Sequence, residues 1–311
     1  YLPLMAGIPS QIMNNILFFG ATGKLGTNWV NNLLNNKKKV IININKKKLK
    51  NKNNLIQKKL NINKPSEIIK YCKQKNVSLI INCIGLSNVD KSQKYKNLAD
   101  YLNNKIPTNL CRISKKLKIP FVHISTDMLF DGVFSGKYTE KSKVKAVNNY
   151  SRTKIKAEKE IKNYSKSLII RTNFFGFSGK KNMTITDKIL FEQSKGLTTY
   201  LWKDIYFTPI YIETLVIFLN LLIKKHKTGI YNICSNEKIS KFNFGKKILE
   251  NLKINFKLKA NVFEKHKFVN RPKNMSLSNK KLQRLFPEKK NQLKLENQIK
   301  KFVLDYKNKY V

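Results

Sequence analysis

The segment Gly20-Ala21-Thr22-Gly23-Lys24-Leu25-Gly26 constrains this chain more than any other, because of where it stands. An apolar run over 16–19 precedes it and a helical stretch over 24–36 follows. Glycines at such a junction let the backbone turn tightly and approach a pyrophosphate, whose charge is met by the helix N-terminus. A glycine loop alone is often just a turn; between a first strand and a first helix it predicts dinucleotide binding. Strand and helix then alternate. Residues 40–44 and 55–60 read as strands, 65–75 as a helix with Pro65 in its first turn, and 79–84 as a buried strand. A long helix over 95–117, kinked at Pro107, precedes a strand over 120–125, a helix over 150–164 and a strand over 167–171. Continuous apolar strands between helices mean a parallel sheet covered on both faces. The expected fold class is α/β, a Rossmann-type doubly wound parallel sheet with a smaller C-terminal substrate lobe.

After Thr172 the alternation degrades. Residues 174–181 read as a loop rich in Gly and Phe, 186–195 and 211–224 as helices, and 229–234 as a returning strand. Helices over 242–252, 279–286 and 293–306 complete the tail. Met13 reads as the natural start, which leaves residues 1–12 as an N-terminal extension. Residues 13–172 then form the NAD(P)-binding domain, and 173–311 a mainly substrate-binding lobe whose stretch near 205–235 returns to the first domain.

Charge is the competing signal. Lys and Arg number 63 against 18 Asp and Glu, a net +45 that invites a nucleic-acid reading. Yet Arg stands only at 112, 152, 171, 271 and 284, and specific nucleic-acid readers lean on its bidentate fork. The lysines are spread along the chain among Asn and Ile, the residues that AT-rich coding sequence produces by drift. No specific nucleic-acid partner is expected, although such a surface attracts anionic substrates. A hydrophobic content of 41% is enough for a real core, which argues against disorder. No membrane association is expected either: the most apolar window, 205–223, contains Pro209, Glu213 and Asn220. Residues 1–12 lack the basic start of a signal peptide. Cys72, Cys83, Cys111 and Cys234 form no C-x-x-C pair, so neither a zinc cluster nor a disulfide scaffold is expected, and a cytoplasmic setting fits.

The strand ending at Ile44 is followed by Asn45-Lys46-Lys47-Lys48, with no acid for a free ribose 2′-hydroxyl. Lysines suit a 2′-phosphate, so NADP(H) is favoured, with NAD(H) the alternative. Ile124-Ser125-Thr126-Asp127 closes a later strand at the C-terminal edge, where such sheets bind ligands. Further on, Tyr150 and Lys154 stand four apart, on one helix face. A nearby ammonium stabilises tyrosinate and lowers the phenol from its ordinary value near 10, which makes Tyr150 a usable acid or base.

With these motifs in this order, the chain resembles an extended short-chain dehydrogenase/reductase, and within that group the dTDP-4-dehydrorhamnose reductase family. Further matching strings are Ile81-Asn82-Cys83-Ile84-Gly85, Val89-Asp90-Lys91, Ser125-Thr126-Asp127-Met128-Leu129-Phe130-Asp131-Gly132, Arg171-Thr172-Asn173-Phe174 and Arg271-Pro272. The resemblance implies that Tyr150 protonates a substrate carbonyl oxygen as hydride arrives, and that Thr126 polarises the same carbonyl. It implies that Lys154 holds the nicotinamide ribose and tunes Tyr150. Gly20, Gly23, Lys24, Leu25 and Gly26 would cradle the pyrophosphate. Asn45, Lys46, Asn61 and Ile62 would lie on the adenosine side, and Cys83, Ile84 and Gly85 would line the cofactor by backbone. Ser87, Val89, Met128, Asn173 and Phe174 would face the sugar with Thr126 and Tyr150.

The implied reaction is NAD(P)H-dependent reduction of a nucleotide-activated 4-keto-6-deoxy sugar, in polysaccharide biosynthesis. Met128 and Phe174 depart from the aromatic residues usual there, and Asn28 replaces the Glu that bridges a magnesium-linked dimer. No metal is therefore expected, and a homodimer stays open. The alternatives are a sugar-nucleotide epimerase of the same extended family and a non-catalytic NAD(P)-binding regulatory subunit. An intact Thr126, Tyr150 and Lys154 favours catalysis. His123 reads as a packed core residue, and Cys83 as a small filler rather than a nucleophile.

Overall fold

A computed structural model describes residues 15–45, 47–177, 184–264, 266 and 268–310. The expected extension over residues 1–12, the start at Met13, and Lys46 lie outside the described residues. The chain begins with β1 (Asn15–Phe19), α1 (Lys24–Asn35), β2 (Lys39–Asn43), β3 (Leu55–Lys58), α2 (Pro65–Gln74) and β4 (Leu79–Asn82). It continues with α3 (Val89–Lys94), α4 (Lys96–Asp100), α5 (Ile106–Leu117), β5 (Phe121–Ile124), α6 (Asn149–Ile161) and β6 (Ser167–Arg171). One seven-stranded sheet has the order β11-β6-β5-β4-β1-β2-β3, where β11 is Gly229–Asn232. Every pairing in it is parallel. The doubly wound sheet is as expected, and β11 completes it beside β6.

The strands are apolar throughout because both faces are covered. Ile16, Phe18, Val40, Ile42, Leu79 and Ile81 point into one core cluster with Trp29 and Val30 of α1. The alternate residues Leu17, Phe19, Ile41 and Ile80 point into the other, with Ile68 of α2, Leu110 of α5 and Ala157 of α6. Full burial of each large side chain stabilises the fold by about 1.5–3 kcal/mol, so the period of two fixes the register.

The long helix expected over 95–117 is interrupted, and not at Pro107. Residues Tyr101–Lys105 form a π-helical turn in which the Ile106 N–H donates to the Tyr101 carbonyl. Pro107 lacks an N–H and crowds the carbonyl four residues earlier, so the wider turn lies ahead of it and Pro107 opens α5. The turn faces Asn103 inward, where its side chain accepts from Leu86 N–H at 2.7 Å and donates to Thr153 Oγ1 at 3.2 Å. Helix α3 was not foreseen, although Asn88 caps it by accepting from Lys91 N–H at 2.8 Å.

Beyond β6 come β7 (Phe174–Phe175), α7 (Ile185–Ser194), β8 (Thr199–Trp202), β9 (Tyr206–Phe207), β10 (Ile210–Tyr211) and α8 (Ile212–Lys224). After β11 follow β12 (Ile239–Ser240), α9 (Lys241–Leu252), β13 (Leu258–Asn261), α10 (Lys280–Leu285) and α11 (Leu295–Tyr310). The short strands pair as β10–β7, β12–β9 and β13–β8. The loop expected over 174–181 therefore begins as a strand. Helix α8 packs on α1 through a polar seam in which Trp29 Nε1 donates to Asn220 Oδ1 at 2.8 Å. In the same seam the Asn220 amide donates to Asn32 Oδ1 at 2.7 Å. Among the described residues no helix is long and apolar enough to cross a membrane.

Candidate active site

Strands β1, β4 and β5 end on one edge, and the glycine loop lies across the end of β1. Gly20 has φ +83°, and a Cβ there would stand 2.6 Å from the Cys83 carbonyl carbon and 2.7 Å from Ile84 N. A Cβ on Gly26 would stand 2.1 Å from the Gly20 carbonyl oxygen. Those two glycines are needed for the loop to fold. Gly23 is different: its φ is an ordinary −75°, and a Cβ would meet only the Gly20 oxygen, at 3.4 Å. It leaves a bare backbone at the start of α1, whose first turn carries no acid and no side-chain cap. Such a terminus presents free N–H groups and positive dipole to an anion. The cradle thus fits a dinucleotide pyrophosphate. Leu25 is buried beneath it. The Lys24 amine instead reaches the buried carboxylate of Asp187 on α7, at 3.8 Å, and ties the loop to the C-terminal half.

Cys83, Ile84 and Gly85 run directly past Gly20, with Cys83 N–H donating to the Phe19 carbonyl at 2.9 Å. Burial pushes the Cys83 thiol well up, which fits a filler rather than a nucleophile. Asn45 is exposed just beyond β2, with the exposed Lys47 and Lys48 after it. Asn61 is exposed and turned into its own loop, its side chain accepting from Asn63 N–H at 3.0 Å. Ile62 packs against the core.

At the end of β5, Thr126 and Asp127 are buried. Thr126 Oγ1 accepts from Met128 N–H at 3.2 Å and lies 3.3 Å from Asp127 Oδ1, to which it donates. The Thr126 hydroxyl is also close enough to the Tyr150 phenol to influence its ionisation. Ser125 Oγ is buried with no hydrogen-bond partner among the described residues, an orphan polar atom that a ligand would satisfy. Tyr150 enters on the first turn of α6, whose start is fixed by a capping box between Asn148 and Ser151.

The phenol is not lowered. Burial pushes Tyr150 up to about 12, with the nearby Thr126 hydroxyl opposing and the Asp127 charge adding to the rise. The expectation that Lys154 would depress it is corrected by where the amine points. Lys154 Nζ donates to the Ile124 carbonyl at 2.7 Å and lies 3.2 Å from His123 Nε2. Burial lowers Lys154 to about 8, against the raising influence of Glu158 and Cys83. Tyr150 is consequently a fully protonated acid at neutral pH.

Asn173 donates to Asp127 Oδ2 at 2.7 Å, which brings it to the reacting edge. Met128 is buried beside Asn148, whose amide reaches its sulfur at 3.5 Å. Val89 is buried at the start of α3, Phe174 is half-buried in β7, and Ser87 is exposed on the loop before α3. Sequence reading missed the cationic wall opposite. Lys241 Nζ and Arg271 Cζ lie 5.0 and 5.4 Å from the ring centroid of Trp202. Arg271 also pairs with Asp90 at 2.8 Å. Burial lowers Lys241 to about 8, Arg271 and Lys188 lower it further as like charges, and Asp127 opposes them. Asp127 itself is raised to about 6 by burial, with Asn173, Lys241 and Thr126 opposing. One signal was available: Lys241 is the first residue of a helix, where the dipole disfavours a cation.

A family model described as the RmlD substrate binding domain matches residues 13–307. A probable low-salt glycan biosynthesis reductase of Haloferax volcanii is 26% identical over 199 residues, 61% of this chain. That stretch spans 65% of the relative's own length. Among solved structures, a hypothetical dTDP-4-dehydrorhamnose reductase from Sulfolobus tokodaii superposes with a TM-score of 0.77 at 27% identity, over 88% of this chain and 94% of that one. A dTDP-4-dehydrorhamnose reductase from Bacillus anthracis, in complex with NADP, superposes with a TM-score of 0.80. It is 21% identical and covers 94% of this chain and 100% of that one, which shows the shared fold.

Proposed function

We propose a function from one premise: the chain belongs to the family of the RmlD substrate binding domain. It is a reductase that uses NADPH, or NADH less well, to reduce a nucleotide-activated 4-keto-6-deoxy sugar to the alcohol. The observation that carries this reading is the pair of buried neighbours Thr126 and Tyr150, together with a glycine cradle open at Gly23. The names of the relatives support the sugar-nucleotide class, and the NADP held by the Bacillus anthracis protein supports the cofactor. The exposed Lys47 and Lys48 beyond β2 support the 2′-phosphate preference.

When bound, the nicotinamide supplies the hydride. Tyr150, held protonated by burial, donates its proton to the keto oxygen as that oxygen gains charge. Thr126 turns its one hydroxyl proton from Asp127 Oδ1 to the same oxygen and polarises it before transfer. A general acid so placed is worth roughly 10²–10⁴ in rate. Lys154 holds the nicotinamide ribose, and Gly20, Gly23 and Gly26 with the first turn of α1 hold the pyrophosphate. Asp127 and Asn173, hydrogen-bonded to each other, orient sugar hydroxyls. Lys241 and Arg271 take the nucleotide's diphosphate, with Trp202 as the flat wall between them. The setting is the cytoplasm, where nucleotide sugars and reduced cofactor are made.

The test is loss of reduced-cofactor absorbance when the protein meets NADPH or NADH and a dTDP-4-keto-6-deoxyhexose. Sugar-dependent oxidation, faster with NADPH, is expected. A change of sugar configuration without net oxidation would make the chain an epimerase. Cofactor binding without turnover on any keto sugar would make it a regulatory subunit.

A further inference from the structure

The buried His123 carries an inference that the proposed mechanism does not use. Its ring lies between two polar groups: Asn82 Nδ2 is 3.1 Å from Nδ1, and Lys154 Nζ is 3.2 Å from Nε2. All three side chains are almost wholly buried. The orientation of Asn82 is pinned independently, because its Oδ1 accepts from Ile84 N–H at 3.2 Å. Its amide NH₂ therefore faces the imidazole and donates to Nδ1. A neutral imidazole with Nδ1 accepting carries its proton on Nε2. That N–H points at Lys154 Nζ, and an ammonium has no lone pair with which to accept it. A neutral amine does: it accepts from His123 and donates to the Ile124 carbonyl, the 2.7 Å bond observed.

We propose that His123 is a positioning residue that, through its Nε2–H, biases Lys154 toward the neutral amine in the free protein. Lys154 then takes up a proton from solvent when the dinucleotide binds. The inference rests on the cofactor reading but not on the identity of the sugar. The surroundings are compatible with it. From its own helix Lys154 faces Glu158, which is neutralised by Arg171 of β6 at 2.7 Å. From the end of β4 it faces Cys83, whose thiol is held protonated by burial, and from β5 it faces His123, kept neutral by burial. Burial also lowers Lys154 itself. A bound dinucleotide adds phosphate charge and hydroxyl acceptors, both of which favour the ammonium.

Two readouts test this without any turnover. Nitrogen-15 NMR of the free protein should show His123 as the Nε2–H tautomer, unchanged across the neutral range; the Nδ1–H tautomer would overturn the proposal. Calorimetry of NADPH binding, run above the pH of about 8 to which burial lowers Lys154 and in buffers of different ionisation enthalpy, should show net proton uptake by the wild type. The near-isosteric Asn82→Asp accepts from Nδ1–H, moves the lone pair to Nε2 and should abolish the uptake. His123→Gln, which can present a carbonyl to Lys154, should do the same and serves if Asn82→Asp does not fold. Unchanged uptake in both variants would overturn the proposal. Failure of NADPH to bind at all would strike the cofactor reading and leave the tautomer result standing.

Discussion

At the scale of single residues, burial rather than charge pairing sets the chemistry of this site. Tyr150 is pushed up to about 12 and Lys154 down to about 8 by the same desolvation. The phenol is thereby kept as an acid, the form a keto reduction needs. Lys241 gives the pH dependence most open to measurement. It is an ammonium below about 8 and loses its charge as pH rises through that value. KM for the nucleotide sugar should therefore climb above that pH in the wild type. In Lys241→Gln it should start higher and stay flat through the same range; a parallel rise in the variant would place the titration elsewhere. The spacing of Tyr150 and Lys154 correctly put both on one helix face. It could not show that the amine turns to Ile124 and His123, because those partners lie on β5, about thirty residues away in sequence.

At the scale of elements, the strand–glycine loop–helix unit was legible because each part has a local cause: an apolar run, a required positive φ, a helical period. The short strands β7, β9, β10 and β12 have two residues each, too few to show any period, so they escaped. The π-helical turn escaped because its cause, Pro107, shows in the sequence while the position of the wider turn does not. The glycines predict a separation of roles. Gly26→Ala, with its Cβ driven against the Gly20 carbonyl at 2.1 Å, should lower the melting temperature and abolish NADPH binding together. Gly23→Ala should cost under about 1 kcal/mol of stability while weakening NADPH binding at least tenfold. Equal melting-point losses would show that both glycines serve only the turn. Helix α6 is also locked to β6, through Arg171 and Glu158, whose side chains are 4% and 6% exposed. Arg171→Met should destabilise the protein by about 3–5 kcal/mol in urea unfolding, because it leaves a buried carboxylate unpaired.

At the scale of the whole molecule, the two halves of the chain are one structure. β11 completes the sheet beside β6, α8 lies on α1 through Trp29 and Asn220, and Lys24 reaches Asp187. The cationic wall shows why the site was only half legible. Its residues, Trp202, Lys241 and Arg271, are far apart in sequence, and in a chain with 63 Lys and Arg no single cation stands out. Folding selects which of them face Asp127. The central claim is that hydride reaches a sugar keto carbon while Tyr150 supplies the proton. It is tested most directly with NADPH deuterated at its transferable position, a dTDP-4-keto-6-deoxyhexose, and mass analysis of the recovered sugar. The account predicts one deuterium per reduced sugar with the wild type, and nearly none with Tyr150→Phe despite retained NADPH affinity. An unlabelled or merely epimerised sugar, or full labelling by Tyr150→Phe, would contradict it.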